Sequence, residues 1–472
     1  MLNHTRVVAV FASLLALAAA AHAQSAGETP PQHAFSLSEA LQYAVDHYPT
    51  VRAALEQVNA STAGVSVARS AYLPRFDATW QMNRATANNV FGQLLPQSVI
   101  PSLTGPVLPS EWSQSVWGAA AGGLLSWEPF DFGLRGSTVR EAEAGVARAR
   151  ADQSVAQLAV QHAVGVAFLN VVAAEQAIAA ADADVRRRET LARAARTLAD
   201  NQLRPGAEAS RADAELAAAR TRAIQMRQGL ALAQATLIQV LGLVDGTVAI
   251  DATSLVQDVP SARGSPPSIA PHPLLQSSQA AVDLARARES VLATTDRPRV
   301  LLQSSVFGRG TGASVDGPFE GGADGLGLER ANWAAGVQVV FPNLFDFASL
   351  KARRAAAAAT TRAEHARYDE ATLKVTSETR AADALLAAAR DIAQNTPIQL
   401  AAAQQSEAQA RARYDTGLAN ITDVADAQNL LAQAEYQNAM ARIDVWRALL
   451  SQSVAHGTVA PFIDALRAAG AQ

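Results

Sequence analysis

From Ser137 to Asn201, and again from Leu350 to Asp415, the chain carries no strong helix breaker except Pro397. Each run holds about 65 residues, which at 1.5 Å per residue makes a rod of roughly 100 Å. A globular domain of ordinary size has no room for such a helix. The first rod has two apolar seams, Leu158, Gly165, Leu169 and Val172 on one and Val160, Val164, Val171 and Ile178 on the other. One seam makes a two-stranded coiled coil, whereas two let a helix pack on neighbours at both sides, as in the wall of a tube. Each rod then turns back, at Arg204-Pro205-Gly206 and at Asp415-Thr416-Gly417, into a return helix, Glu208–Leu241 and Ile421–Val454.

The rods belong to a tandem duplication. With Pro49 over Pro273, PTVRAALEQVNASTAGVSVARSAYLPRF aligns without a gap on PLLQSSQAAVDLARARESVLATTDRPRV. His47 and His272 precede the two prolines, and Phe130-Asp131-Phe132-Gly133 answers Phe345-Asp346-Phe347-Ala348. The expected plan is a leader 1–23, a first repeat 24–258, a Pro- and Ser-rich linker 259–270, a second repeat 271–456 and a tail 457–472. Each repeat reads as a helix (Ser36–Ala71; Leu274–Thr294), two strands (73–86 and 112–128; 299–308 and 330–342) and a long helical hairpin (137–242; 350–455).

The strands alternate. Phe76, Ala78, Trp80 and Met82 share one face and Asp77, Thr79, Gln81 and Asn83 the other. Trp80, Trp112, Trp117, Trp127 and Trp333 fall in or beside the strands, and Trp446 alone lies elsewhere. Two hairpins enclose no core of their own, while aromatics on short alternating strands are the pattern of an outer-membrane barrel with its membrane-interface girdles. Four strands are too few to close a barrel, so several chains must contribute.

The N-terminus agrees with export. Arg6, the apolar run Val7–Ala20 and Ala21-His22-Ala23 form a secretory signal cleaved before Gln24. Losing Arg6 moves the formal charge from −4 to −5, which argues against a nucleic-acid partner. The chain has no cysteine, hence no disulfide framework. Past the leader there is no run of eighteen uninterrupted apolar residues, so any membrane passage falls to strands.

The stretch RYDTGLANITDVADAQNL, Arg413–Leu430, ends one helix and begins another. Asp423 and Asp426 stand one turn apart on the same face of the new helix. Two readings stay open: a solvated acidic first turn, with Asp423 closing a capping box from Asn420, or carboxylates lining a narrow passage and favouring cations.

These segments together resemble the TolC-type outer-membrane efflux protein family. The resemblance rests on the helices ending LPRF and RPRV, on EPFDFG and NLFDFA after each second strand, and on YDTGLANITDVADAQNLL. It spans essentially the whole mature chain. It implies a mainly α fold with membrane β: a homotrimer with twelve strands in one transmembrane β-barrel, continued into a long periplasmic α-helical barrel of coiled-coil hairpins. It places the pore constriction at Asp423 and Asp426 and the tip gate at Tyr414 and Gly417. The family arginine that links neighbouring chains falls on Ala419. The first repeat reads as about two residues shorter near its turn, leaving Ser210, Arg211 and Asp213 as its candidate gating residues. The implied partners are a periplasmic adaptor (membrane fusion) protein, an inner-membrane pump of the RND or ABC type, and outer-membrane lipid.

No enzymatic motif competes. There is no H-E-x-x-H, no P-loop and no G-x-S-x-G, and Lys351 and Lys374 are the only lysines. The expectation is no enzyme, no metal and no cofactor. The rival class is a periplasmic coiled-coil adaptor or scaffold without a pore, which leaves the strand pairs unexplained.

Overall fold

The computed structural model of this 472-residue chain describes residues 34–88, 93–102, 107, 114–244, 248–257, 272–313 and 323–470. The expected leader, the linker 259–270 and Trp112 lie outside the described residues. The first repeat contains β1 (Phe35–Ser36), α1 (Leu37–His47), α2 (Pro49–Ser70), β2 (Arg75–Thr86), β3 (Ser115–Phe130), α3 (Leu134–Asp200) and α4 (Gly206–Leu241). Between the repeats lie β4 (Ile250–Asp251) and α5 (Thr253–Gln257). The second contains α6 (Pro273–Leu292), β5 (Arg299–Thr311), β6 (Arg330–Val340), α7 (Phe347–Asp415) and α8 (Ile421–Ala455), and α9 (Ala460–Gly470) follows.

Three expectations need correction. The first helix is two, because Tyr48 precedes Pro49 and is held extended (φ −68°, ψ 130°), ending α1 and starting α2. The segment 457–472 is not a plain tail: α9 folds back, and its Phe462 meets Trp446 edge-on at 6.1 Å, both fully buried. His47 and His272 are not equivalent. His272 caps α6, a place that Tyr48 takes in the first repeat, while His47 stacks on Tyr43 at 4.2 Å.

The long helices α3 and α7 run the full height, and Pro397 does not interrupt α7. Shorter helices fill the other positions in two tiers. α2 and α6 flank α3 near the sheet, and α4 and α8 flank it further down. The tiers meet end to end at repeated joints. Gly242, at φ +78° after α4, abuts Tyr48 and Pro49, and Gly457, at φ +86° after α8, abuts His272 and Pro273. A left-handed residue ends each helix, and at Gly457 the His272 backbone leaves no room for a side chain.

The main core lies at the level of these joints. Phe168, Leu169 and Val172 of α3, Leu237 and Leu241 of α4, and Trp446 and Leu450 of α8 are buried there with Leu41 of α1 and Phe462 of α9. Both seams of α3 are filled, one contact being so close that a Cβ at Gly165 would sit 2.6 Å from Leu450. A window of α3 has a mean hydropathy of 1.6 and passes for a membrane span by composition. Its packing against five other helices explains that apolarity. The parallel pair β1–β4, registered Phe35 to Ile250, ties the connector to the start of α1.

Candidate functional site

β2, β3, β5 and β6 form one antiparallel sheet in that order, so the central pairing, β3 with β5, joins the two repeats. Register sorts the side chains onto two faces. One carries Phe76, Trp80, Met82, Trp117, Leu125, Trp127, Val306, Trp333 and Val337; the other carries Asp77, Thr79, Gln81, Asn83, Gln303, Ser305, Arg309, Arg330 and Gln338. A sheet that is apolar on one side and polar on the other suits a wall between lipid and water.

Trp117 and Trp127 mark the two ends of the apolar face on β3. The ten-residue step from one to the other spans about 33 Å along the strand, or about 25 Å of height at a tilt near 40°, the height of an outer-membrane apolar band. Trp127 also donates its Nε1–H to the Tyr72 carbonyl at 3.0 Å, which suits an aromatic at a wet boundary. Trp80 and Trp333 pair with Ala121 and Val306 in mid-strand, between the levels of Trp117 and Trp127, and are largely exposed.

The segment Gln93–Pro101 covers part of the polar face. Asn83 Nδ2 donates to the Gln93 carbonyl at 2.7 Å, and Gln81 Oε1 accepts from the Leu95 amide at 2.9 Å. Val99 and Ile100 are buried against Ala120 and Phe307. Alternation alone gave no sign of this inward fold.

Beneath the sheet, Asp131 of the FDFG segment organises the turn into α3. Its carboxylate accepts from the Gly133 amide and from the Arg135 amide and guanidinium. Burial pushes the Asp131 carboxyl up, but these bonds outweigh it and hold the group below its ordinary value.

At the far end, the two hairpin turns are of equal length, not two residues different. Asp200 and Asp415 end the long helices, and after five intervening residues Gly206 and Ile421 begin the return helices. The stop in the first turn is Gln202 in the left-handed region (φ 62°), not Arg204-Pro205-Gly206. Leu203 N bonds Leu198 O, as Leu418 N bonds Arg413 O around Gly417. The turns therefore superimpose without a gap, with Arg204 at the place of Ala419, Glu208 at that of Asp423 and Arg211 at that of Asp426.

Tyr414 joins the two tips. It is buried with Ala192, Ala195, Ala212, Leu216, Ile421 and Val424, and Ala419 packs at the edge of this cluster. Its hydroxyl donates to Glu208 Oε2 at 3.2 Å, the Arg204 guanidinium lies 5.1 Å over its ring, and Arg204 bonds its carbonyl at 3.4 Å. Burial raises the Tyr414 pKa above 10.0, and the Glu208 charge adds to this. Asp423 and Asp426 stand exposed on α8, and Asp423 closes a capping box with Asn420 at 3.0 and 3.2 Å. Of the other candidates, Asp213 pairs with Arg196 at 2.7 Å on the surface, and Ser210 and Arg211 are exposed.

Above the tip lies a buried ionic network that the sequence reading missed. Arg188, 1% exposed, binds Asp184 at 2.9 Å, Glu215 at 2.8 Å and Asn429 at 2.7 Å. Asp184 also accepts from Arg222, and Arg187 forks onto Glu435 at 2.9 and 2.7 Å. The network ties α3 and α4 of one hairpin to α8 of the other. Arginines on the face of an alanine-rich helix read as solvated, and only the tertiary pairing marks them out.

A lipid-facing sheet carrying duplicated helical hairpins defines the class: a channel component whose wall passes from membrane strands into long helices. The outer membrane efflux protein family model matches residues 40–243 and 268–455, and the chain belongs to that family. It is 26% identical over 404 residues to Protein CyaE of Bordetella pertussis, covering 84% of this chain and 78% of CyaE. Its fold matches the outer membrane protein VceC of Vibrio cholerae with a TM-score of 0.71 at 16% identity, over 89% of this chain and 96% of VceC. The CmeC outer membrane channel of Campylobacter jejuni matches with a TM-score of 0.69 at 16% identity, over 92% of this chain and 90% of CmeC. The protein is thus placed in the outer membrane, with a large periplasmic helical part, in a family of channels rather than enzymes.

Proposed function

We propose that three copies close into a twelve-stranded barrel in the outer membrane and a helical tube in the periplasm, forming the exit channel of a tripartite efflux or type I secretion system. The observation that carries this reading is the pair of open sheet edges. β2 and β6 are the outermost strands, and their unpaired backbone groups cannot be left facing lipid. Pairing β6 of one copy with β2 of the next satisfies both edges and closes the apolar face outward. Exposed apolar side chains on α7 (Leu373, Leu385, Ile392) and on α4 (Ile224, Leu232) offer the tube the same kind of neighbour contact. A scaffold without a pore has no use for the apolar sheet face.

In this reading the channel is a passive conduit. A periplasmic adaptor engages the hairpin tips, an inner-membrane pump supplies the energy, and the solute leaves through the barrel. Three copies of Asp423 and Asp426 bring six carboxylates around the axis, where their field favours cations. Tyr414, Glu208 and Arg204 hold the two hairpins of a chain together at that level, and opening separates them. The test is conductance of the purified protein in a planar bilayer, with cross-linking to count subunits. Trimers giving small, cation-selective steps, whose selectivity drops in Asp423→Ala/Asp426→Ala, support the channel and the ring. Monomers that stay soluble without detergent would sink the reading.

A further inference from the structure

The two tier joints share their backbone arrangement but differ in the residue before the proline, and that difference is chemical. At the first joint Tyr48 precedes Pro49 and makes no side-chain cap. At the second, His272 precedes Pro273, and its Nδ1 accepts the Leu274 amide at 3.2 Å. The same imidazole lies beside the Val454 backbone at the end of α8. An imidazole that accepts at Nδ1 carries no proton there and must be neutral, with its proton on Nε2. Protonation places an N–H on Nδ1 facing the Leu274 N–H, and the cap is lost.

We propose that the joint between α8 and α6 is a proton-operated hinge, closed by neutral His272 and loosened in mild acid, with no counterpart between α4 and α2. Burial outweighs the two neighbours that favour the charged form, the Val454 backbone and Glu378. Glu378 of α7 faces His272 but is paired with Lys374 at 3.9 Å, and Asp383 of α7 is engaged by Gln452 at 2.8 Å and by His456 at 3.4 Å. His456 lies beside it, and its charge opposes a second cation there. From α3, the paired Arg148 and Asp152 reach α6 one turn further on, at Ser277. Burial lowers the His272 pKa below 6.5. The sign follows: the closed joint is undisturbed above 6.5 and loses ground as pH falls below it, levelling off under the depressed value. The consequence is asymmetric, since the hairpin freed by acid is the second, which carries Asp423 and Asp426.

Hydrogen exchange of the full-length protein in detergent micelles tests this, comparing about pH 7.5 with about pH 5.5 after correction for intrinsic exchange. Protection of the amides at 274–276 and 457–458 is expected to fall about fivefold in acid, the size of one lost helix cap. His272→Asn keeps an acceptor for the Leu274 amide but does not titrate, so its protection should stay level. Residues 50–52 and 242–243, at the first joint, serve as the internal control and should not respond. Equal acid responses at both joints, an unchanged response in His272→Asn, or no response in the wild-type protein would overturn the proposal.

Discussion

The hydroxyl of Tyr414, the last-turn tyrosine of α7, donates to Glu208 Oε2 at 3.2 Å, and Glu208 occupies in the first hairpin the place that Asp423 occupies in the second. Repeat-equivalent acids therefore serve different ends. One is drawn inward to hold the other hairpin; its counterpart caps α8 and stays exposed. The arginine that Ala419 lacks stands at the equivalent place in the first turn, where Arg204 covers the Tyr414 ring.

Tyr414→Phe removes one hydrogen bond between hairpins and keeps the buried ring. A loss of about 1 kcal/mol is expected, seen as more frequent or larger bilayer conductance steps and faster exchange at 414–418. Unchanged conductance with slowed exchange would contradict the assignment. Because burial raises the pKa of this phenol, its contribution is complete below pH 10.0 and is lost as pH rises through the raised value. Alkaline weakening of the tip should vanish in Tyr414→Phe.

Arg188→Ala strands Asp184, which is 3% exposed, with Arg222 as its remaining cation, and removes the neighbour of Glu215. Breaking a buried pair from one side costs about 3–5 kcal/mol, so a marked fall in melting temperature by circular dichroism is expected. Arg188→Ala with Asp184→Asn should recover part of it. If the single variant melts like wild type, the network is not holding the hairpins.

How much of this was legible depended on whether a feature is periodic or paired. The rods, the strands and their faces came from periods of 3.6 and 2, because apolar residues repeat wherever one side is buried. The break at Tyr48–Pro49 was legible too, since proline restricts the residue before it, but the long helical pattern masked it. The left-handed stop at Gln202 was hidden because an ordinary residue takes a glycine's place, and that concealed the equal length of the turns. Partners far apart in sequence, such as Arg188 with Asn429 or Val99 with Phe307, carry no local signal.

Gly165→Ala tests the closest approach of α3 to α8. The added Cβ would lie 2.6 Å from the Leu450 side chain, whose methyls can move but are fully buried. Overpacking of this kind costs about 1–3 kcal/mol. Leu450→Val should restore part of the loss, and a double-mutant cycle on thermal stability measures the coupling. Additive effects would mean that the two helices shift apart and relieve the contact elsewhere.

Val99 and Ile100 also bear on flow, because they lie on the polar face of the sheet, the face that the proposed barrel turns to its passage. Their anchor is Gln97, whose Oε1 accepts from both amides at 2.6 and 2.7 Å, with Phe307 beneath. Replacing both with Ser removes the apolar seat but leaves the Gln97 turn, so the segment should lift from Phe307 while β2 and β3 remain paired. Conductance through the bilayer should rise in this variant even when Tyr414 and Glu208 are intact, provided the barrel end limits flow in series with the tip. If conductance rises only when combined with Tyr414→Phe, the tip alone sets the resistance and the segment merely rests on the wall.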